Sequence, residues 1–297
     1  MSRLRIGYFG DGPWSHRALK RLVADETLQI AFVCARNEAP DPVLKNRAAE
    51  NGLDFLTHPA VNSPEFIDRM RRYRCDLFAS MSFNQIFRRE LMELPPLRTI
   101  NCHAGKLPFY RGRNVLNWAL INDEPEFGIT VHYIDEGIDT GDVILQRCYP
   151  ITDADDYSTL LDRAYEGCAH ILFDAIKAIQ RGDVKATPQS SIHPLGFYCS
   201  LRRAGDERLD WNRASRDVFN FVRAVCRPGP QARTRLGDEE ICINKVAYLP
   251  RAPRHHGIPG AVVGVEPEAF YVKTADTYIR VTEWSGYPKP RIGDRLT

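Results

Sequence analysis

Short apolar runs alternate with helical stretches through the first two-thirds of the chain. The runs Leu4–Phe9, Gln29–Ala35 and Asp76–Met81 are each long enough for a strand that is buried on both faces. Stretches with the apolar periodicity of a helix separate them, and strands separated in this way favour a parallel sheet covered by helices on both faces. The pattern therefore predicts an α/β fold with a mostly parallel, Rossmann-like sheet.

The pattern changes near residue 200, where short strand-like segments separated by turns replace the alternation. One amphipathic helix, Ser215–Cys226, precedes them. The segments predicted as strands are Glu240–Val246, Gly260–Val265, Ala269–Thr274 and Thr277–Trp284. Short strands at this spacing are typical of a small barrel or sandwich. We therefore expect two domains, an α/β domain at residues 1–200 and a small β-rich domain at residues 201–297.

Composition favours a protein of a reducing compartment. The net charge is +2, which gives no strong argument for a nucleic acid or a membrane surface as partner. No uncharged run approaches the roughly 18 residues of a membrane-spanning helix, and the N-terminal apolar run is too short for a secretory leader. The eight cysteines are scattered without a Cys-x-x-Cys pair, which favours buried thiols over disulfides or zinc ligands. We expect a cytoplasmic protein with no metal.

The densest group of chemically useful residues lies where one predicted strand ends. Asn101 and His103 close the strand Thr99–His103, and a loop rich in turn residues follows as far as Arg113. Side chains two residues apart on a strand point to the same face, so both can reach one ligand. In such sheets ligands bind beyond the carboxyl ends of the strands. Asp139 follows His103 by 36 residues, in a loop bracketed by glycines where the backbone can approach a ligand closely.

An amide, an imidazole and a carboxylate are the groups that transfer of an acyl group to an amine requires. The amide of Asn101 can donate a hydrogen bond to the oxyanion of a tetrahedral intermediate. The imidazole of His103 can take the proton of the attacking amine, or donate to the oxyanion when it is protonated. Asp139 can fix the orientation of that ring or manage the proton. Each residue taken singly is more often structural, so the prediction rests on their combination.

Further motifs accompany these residues in order along the chain. They are Asn101-x-His103, Leu107-Pro108-x-Tyr110-Arg111-Gly112, Gly128-Ile129-Thr130-Val131 and Asp135-Glu136-Gly137-Ile138-Asp139-Thr140-Gly141-Asp142, and then Arg202-Arg203, Leu209-Asp210-Trp211, Val222-Arg223-Ala224 and Pro228-x-Pro230. Over nearly the whole chain this set resembles the folate-dependent formyltransferases, in particular their two-domain, methionyl-tRNA formyltransferase-like members. The resemblance implies transfer of a formyl group from N10-formyltetrahydrofolate to an amine, without a metal. It also implies that the C-terminal domain is an oligonucleotide-binding-like barrel.

The same resemblance assigns roles to residues. It implies that Asn101, His103 and Asp139 are catalytic, and that the folate donor is held largely by backbone groups of two loops. The implied donor-site residues are Met81, Ser82, Phe83, Asn84, Gln85, Ile86, Phe87, Asp135, Gly137 and Ile138. Phe83 and Ile86 suit an ordinary core equally well.

The members of the family that this chain resembles differ in the amine that they formylate. Methionyl-tRNA formyltransferases typically continue Ala-Ala-Pro-Ile after the Arg-Gly pair, whereas this chain continues Arg113-Asn114-Val115-Leu116-Asn117-Trp118, which resembles the sugar-nucleotide N-formyltransferases. Gly105-Lys106 in place of Ser-Leu favours the same class. Cationic side chains in this loop suit a pyrophosphate, although Arg111 suits a structural role equally well. Trp14 could in addition stack on a base or a sugar. The predicted substrate-binding residues are Trp14, Lys106, Tyr110, Arg111, Arg113 and Asn114.

We therefore expect formylation of a dTDP-, UDP- or GDP-linked amino-deoxy sugar, for the synthesis of a cell-surface polysaccharide such as the O-antigen of lipopolysaccharide. Methionyl-tRNA is the alternative acceptor, and residues 201–297 carry 17 Lys and Arg against 12 Asp and Glu, a basic excess of five that favours it mildly. Two other classes of this superfamily are not expected here. Glycinamide ribonucleotide formyltransferases lack the β-rich domain, and formylfolate hydrolases carry an additional N-terminal domain. The expected partners are the nucleotide sugar, the folate and a second copy in a homodimer, with no membrane, and with tRNA only under the alternative.

Overall fold

The computed structural model describes residues 3–286 and 289–297. The chain divides into two compact units. The first unit comprises Met1–Gly112, Phe127–Tyr149 and Asp162–Cys199, and the second comprises Arg113–Glu126, Pro150–Leu161 and Ser200–Thr297. The domain boundary near residue 200 stays a prediction.

The elements alternate strand and helix in the first half and become mostly strands after residue 230. In chain order they are β1 (Leu4–Gly10), α1 (Gly12–Val23), β2 (Leu28–Cys34), α2 (Pro42–Glu50), β3 (Asp54–Leu56), α3 (Pro64–Tyr73), β4 (Leu77–Met81), α4 (Arg89–Met92), β5 (Thr99–His103), β6 (Arg111–Gly112), α5 (Val115–Ile121), β7 (Glu126–Tyr133), β8 (Val143–Pro150), α6 (Tyr157–Arg181), α7 (Gln189–Ile192), β9 (Tyr198–Cys199), α8 (Ser215–Val225), β10 (Ala232–Leu236), β11 (Glu239–Ala247), β12 (Val262–Glu266), β13 (Ala269–Lys273) and β14 (Tyr278–Ser285).

A seven-stranded sheet forms the centre of the first unit. Its strand order is β3-β2-β1-β4-β5-β7-β8. The strands β1 to β5 pair in parallel, and β7 runs antiparallel to β5. The strand order reverses between β1 and β4, so right-handed crossovers place the connecting helices on opposite faces. The prediction of a mostly parallel α/β sheet is confirmed.

Local capping sets where the helices begin. The sequence pattern predicts a helix around residues 46–50, but α2 begins at Pro42, because the Asp41 carboxylate accepts hydrogen bonds from the amides of Val43 and Leu44. Ser63 caps α3 in the same way, since its side chain accepts a hydrogen bond from the amide of Phe66. The periodicity did not predict the short strands β6 and β9, which pair with each other, or strand β10.

The second unit contains an antiparallel sheet of five strands in the order β10-β11-β14-β13-β12. The last residues of the chain bond to both edges of this sheet, because Leu296 bridges to Leu236 of β10 and Arg295 bridges to Ala261, which directly precedes β12. A sheet whose two edges are joined in this way is closed like a small barrel. The prediction of a small β-rich C-terminal domain is confirmed.

One helix covers the core of this sheet. Val218, Val222 and Val225 of α8 pack with Trp211 and Phe270 in a single buried cluster. Such burial stabilises each aliphatic side chain by roughly 1.5 to 3 kcal/mol. Among the described residues, none of the helices is both long enough and apolar enough to cross a membrane.

Candidate active site

Strand β5 presents Asn101 and His103 at the carboxyl edge of the parallel strands. The register pairs Asn101 with Ser80 of β4 on one side and with His132 of β7 on the other. The alternation of a strand turns Cys102 to the opposite face, where it is buried and its thiol contacts the carbonyl of Cys168. Asn101 and His103 therefore share one face, as their spacing predicts.

Asp139 lies in the 134–142 loop between β7 and β8 and reaches the same face. Its Oδ2 is 3.6 Å from Nδ1 of His103 and accepts a hydrogen bond of 2.9 Å from the amide of Gly112. Its Oδ1 is 3.5 Å from Nε2 of His132. The backbone of Asp139 is left-handed, with φ of 54°, which turns the side chain inward from the turn. The structure thus brings the three predicted catalytic side chains together.

The orientation of the His103 ring is fixed by a backbone carbonyl. Its Nε2 is 2.7 Å from the carbonyl oxygen of Tyr110. A carbonyl only accepts, so Nε2 carries a proton, and in the neutral ring the lone pair lies on Nδ1, towards Asp139. Gly105 makes this approach feasible, because a Cβ there would lie 2.3 Å from the Tyr110 oxygen and 2.4 Å from Nε2.

The carboxylate of Asp139 is held ionised by its surroundings. Burial alone raises the pKa of Asp139, but the positive charge of the His103 and His132 rings when they are protonated, together with the Gly112 amide, lowers that pKa well below its ordinary range. The carboxyl group is therefore ionised at neutral and mildly acid pH. It can stabilise a positive charge that forms on either ring.

His132 is a site residue that the sequence did not single out. Its Nδ1 is 2.8 Å from the carbonyl oxygen of Tyr133, which places a proton on Nδ1 and leaves Nε2 to accept. The Asn101 Nδ2 lies 3.3 Å from that Nε2. One N–H of the amide is thereby directed to His132, and the other remains for a ligand. Only the antiparallel pairing of β7 with β5 could have identified this residue.

The predicted donor-site residues lie in the 81–87 segment and in the 134–142 loop. Met81 and Phe87 are buried, and Phe83 packs against Phe9 and Phe87 with ring centroids 5.5 and 5.7 Å apart. Ser82 accepts from Arg36 through its carbonyl at 2.6 Å, and Asn84 is exposed. In the other loop, the Asp135 carboxylate accepts from the amide of Gly137 at 3.1 Å.

Two apolar side chains of these segments are exposed. Ile86 is 62% exposed and Ile138 is 54% exposed. Gln85 anchors the first segment, since its Oε1 accepts from the Val61 amide at 3.0 Å and its Nε2 donates to the His58 carbonyl at 2.7 Å. An anchored loop that presents backbone groups beside exposed apolar side chains suits a flat, partly polar ring system.

The residues predicted to bind the acceptor differ in their exposure and in the unit to which they belong. Trp14, at the start of α1, is half-buried and packs edge-on against Tyr165 at 4.6 Å. Tyr110 is buried and its ring packs against Phe197, while Lys106 is half-buried beside Gly128. Arg113 is exposed and Asn114 is half-buried, and both belong to the second unit. Asn114 there accepts a hydrogen bond from the amide of Arg202 at 2.9 Å.

Arg111 is held by hydrogen bonds to other protein groups. It is buried, and its Nε and Nη2 donate to Oε1 of Gln189 at 3.0 and 2.7 Å. Its Nη1 lies 3.4 Å from the carbonyl oxygen of Leu195. These contacts suit the structural role that the sequence also allows, and acceptor binding by Arg111 stays a prediction. Within residues 3–286 and 289–297, no group of three or more His, Cys, Asp or Glu side chains has the arrangement of a metal site.

Family models match both parts of the chain. The model described as "Formyl transferase" matches residues 14–176, and the one described as "Formyl transferase, C-terminal domain" matches residues 203–290. The methionyl-tRNA formyltransferase of Ruminiclostridium cellulolyticum is 30% identical in an alignment of 288 positions, which covers 94% of this chain and 91% of the relative.

Solved structures share the whole fold. WlaRD, a sugar 3N-formyl transferase solved in the presence of dTDP and 5-N-formyl-THF, has a TM-score of 0.70 at 20% identity, over 98% of this chain and 100% of that one. The N-formyltransferase of Helicobacter canadensis, solved with folinic acid and dTDP-3-aminofucose, has a TM-score of 0.68 at 19% identity, over 96% and 100% of the two chains. At these identities the likeness establishes the fold.

Proposed function

The chain belongs to the formyl transferase family, and on that premise we propose that it moves a formyl group from N10-formyltetrahydrofolate to the amino group of a nucleotide-linked amino sugar. The observation that carries the chemistry is the convergence of Asn101, His103 and Asp139 at the end of β5. The identity of the acceptor rests on the sequence around this group.

The amide of Asn101 stabilises the charge that develops on the formyl oxygen. Attack of the amine on the formyl carbon forms a tetrahedral intermediate whose oxygen is an anion. One N–H of Asn101 is directed to Nε2 of His132, which fixes the amide and leaves the second N–H to donate to that oxygen. A donor held in place before the reaction stabilises the anion without a cost of reorganisation.

His103 takes the proton that the amine must lose. Its Nε2 proton is held by the Tyr110 carbonyl, so the incoming proton binds to Nδ1. The ionised Asp139 lies 3.6 Å from Nδ1 and stabilises the imidazolium that results. The intermediate then collapses as the bond between the formyl carbon and N10 breaks, and the proton passes from Nδ1 of His103 to N10, which leaves tetrahydrofolate and a neutral ring. One proton leaves the amine and one reaches N10, so the reaction balances.

The donor lies against the 81–87 segment and the 134–142 loop. The proposed contacts are backbone groups of Met81, Ser82, Asn84, Asp135 and Gly137, with the side chains of Phe83, Ile86 and Ile138 against the ring. The exposed Ile86 and Ile138 support this placement, because exposed apolar side chains can pack against the flat face of a pterin.

Support for a sugar nucleotide comes from two stretches. Gly105-Lys106 and Arg113-Asn114-Val115 depart from the typical tRNA-enzyme sequence and resemble that of the sugar enzymes. Lys106, Arg113, Asn114 and Trp14 are the proposed contacts to the nucleotide and the sugar. Asn114 also has a packing role within the second unit, through its bond to the Arg202 amide.

Methionyl-tRNA is the second candidate acceptor, and one specific observation favours it. Curated methionyl-tRNA formyltransferases are about 30% identical to this chain over nearly its full length. The excess of five positive charges in residues 201–297 is compatible with an anionic partner of this size. A tRNA enzyme would also lose affinity steeply as salt rises.

The deciding experiment is a formylation assay with N10-formyltetrahydrofolate on a panel of acceptors. The panel contains dTDP-, UDP- and GDP-linked 3-amino and 4-amino sugars and methionyl-tRNA, and each product is identified by its gain of a formyl group in mass spectrometry. We expect turnover of one nucleotide sugar, with little turnover of the tRNA. Formylation of methionyl-tRNA alone would overturn the proposed acceptor but not the proposed chemistry. Full activity of His103→Ala on the preferred acceptor would overturn the chemistry.

A further inference from the structure

We propose that Gln189 is a positioning residue that holds Asp139 and the 104–112 segment in one arrangement. The inference rests on the proposed function, because it assigns Gln189 a role through Asp139 and His103. Gln189 is the first residue of α7 and its side chain is buried, with 3% exposure. It follows Asp139 by 50 residues, so nothing in the local sequence links the two.

The Gln189 amide makes four hydrogen bonds in the first unit. Its Nε2 donates to the carbonyl oxygens of Asp139 and Gly141, at 2.8 Å each. Its Oε1 accepts from Nε and Nη2 of Arg111 at 3.0 and 2.7 Å. The orientation of the amide is fixed by chemistry, because a guanidinium only donates and a carbonyl only accepts. Both hydrogens and both lone pairs are thereby used.

These bonds connect the two segments that hold the catalytic pair. On one side, Gln189 fixes the backbone of Asp139. On the other side, it fixes Arg111, whose neighbours Tyr110 and Gly112 bond to His103 Nε2 and to Asp139 Oδ2. The position of the carboxylate relative to the imidazole is therefore set through one buried side chain. A displacement of about 1 Å between such groups is enough to slow catalysis strongly.

The substitution Gln189→Glu removes the hydrogen bonds to the Asp139 loop but keeps those to Arg111. An ionised Glu still accepts from Arg111, with a stronger, charge-assisted bond, but it has no hydrogen for the Asp139 and Gly141 carbonyls. Packing around Arg111 is thus retained while the hold on the Asp139 loop is lost. Gln189→Met removes the hydrogen bonds to the Asp139 loop and those to Arg111. The guanidinium is then buried without its acceptor, which destabilises the fold.

Gln180→Met is the matched control. Gln180 also bonds across the first unit through its side-chain amide, donating to the Thr27 carbonyl at 3.1 Å and accepting from the Thr27 hydroxyl at 3.3 Å. It lies on the last turn of α6, away from the catalytic residues in the chain. Its substitution tests whether loss of a Gln hydrogen bond by itself alters catalysis.

The measurements are kcat and KM on the acceptor that the panel identifies, the thermal midpoint, and the ¹⁵N spectrum of histidine-labelled protein. For Gln189→Glu we expect kcat to fall at least about 10-fold, with KM within about 3-fold. The midpoint should fall, because two buried carbonyls lose their donor, but by less than in Gln189→Met, where the guanidinium also loses its acceptor. We also expect the His103 ring signals to shift, as identified by their loss in His103→Gln. For Gln180→Met we expect kcat and the His103 signals of the wild type.

Three outcomes distinguish this inference from the proposed function. A kcat of Gln189→Glu within 2-fold of the wild type, while His103→Ala is inactive, would overturn the role of Gln189 alone. Unchanged His103 ring signals in Gln189→Glu would overturn it without any acceptor being needed. The third outcome compares Gln189→Glu, Gln189→Met and Gln180→Met. If kcat falls among them only in proportion to the thermal midpoint, Gln189 has a role in folding and the inference is wrong.

Discussion

The Nε2 of His103 lies 2.7 Å from the carbonyl oxygen of Tyr110. This contact selects which nitrogen of the ring exchanges a proton, because a nitrogen that donates to a carbonyl cannot also accept. Nδ1 is left for the exchange, and it faces the ionised Asp139 at 3.6 Å. A backbone atom seven residues further along the chain therefore decides the proton-transfer geometry of the site.

Removal of either side chain that acts on the reacting atoms should abolish most turnover. We expect Asn101→Ala to lower kcat roughly 10²- to 10³-fold, because the oxyanion loses its donor. His103→Ala should lower kcat by about 10²-fold or more, because the amine proton loses its acceptor. Steady-state kinetics on the preferred acceptor measure both effects. The control is His170→Ala, since His170 pairs with Glu166 on the surface of α6; a loss of activity there equal to that of His103→Ala would contradict the assignment.

Gly105→Ala should impair both stability and activity. The new Cβ would lie 2.3 Å from the Tyr110 oxygen and 2.4 Å from His103 Nε2, so the backbone or the ring must move. We expect a loss of about 1 to 3 kcal/mol in the free energy of unfolding, and a kcat that stays low even where the variant is fully folded. Urea unfolding and kinetics at low temperature measure the two effects. In Gly264→Ala the Cβ meets the Tyr271 ring at 3.2 Å, and we expect near-wild-type activity.

The ionised Asp139 should make stability depend on pH in the acid range. The pKa of Asp139 is lowered in the folded state, so its carboxylate stabilises the fold above the unfolded pKa of about 3.9. That contribution is lost as the pH falls through this value towards the folded pKa. We expect Asp139→Asn to be less stable than the wild type by on the order of 1 to 3 kcal/mol above pH 5, with a difference that shrinks below pH 4.

Urea unfolding at pH 3, 4, 5 and 6 measures this difference. Asp238→Asn is the control, because Asp238 is exposed in the turn between β10 and β11. A stability difference between the wild type and Asp139→Asn that remains constant from pH 6 to pH 3 would contradict the prediction.

Loosening the 81–87 segment should weaken donor binding more than it slows the chemistry. Gln85→Ala removes the bonds to the Val61 amide and the His58 carbonyl, each worth about 1 kcal/mol. We expect KM for N10-formyltetrahydrofolate to rise by roughly 10-fold with kcat within about 3-fold. Gln180→Ala serves as the control. An unchanged donor KM, with the acceptor KM raised instead, would place the donor elsewhere.

The sequence by itself determined the sheet class and most element positions. Apolar runs of strand length, caps such as Ser63 and the turn glycines are local signals, and each acts within a few residues of where it is read. The sequence also predicts that Asn101 and His103 lie on one face of β5, because side chains alternate between the two faces of any strand. Family motifs added Asp139, which no local pattern links to His103.

Tertiary structure decided what these residues touch. The pairing of β7 beside β5 brings His132 to Asn101, and the fold brings Gln189 under Asp139 from 50 residues away. For Arg111 the sequence allowed a ligand contact and a structural role equally, and only the fold shows its guanidinium buried against Gln189. Contacts between distant segments follow from the packing of whole elements, and a single sequence records its periodicities but not its long-range pairings. The sequence was therefore sufficient to predict the type of reaction, whereas the contacts of His132 and Gln189 that hold the site follow only from the tertiary structure.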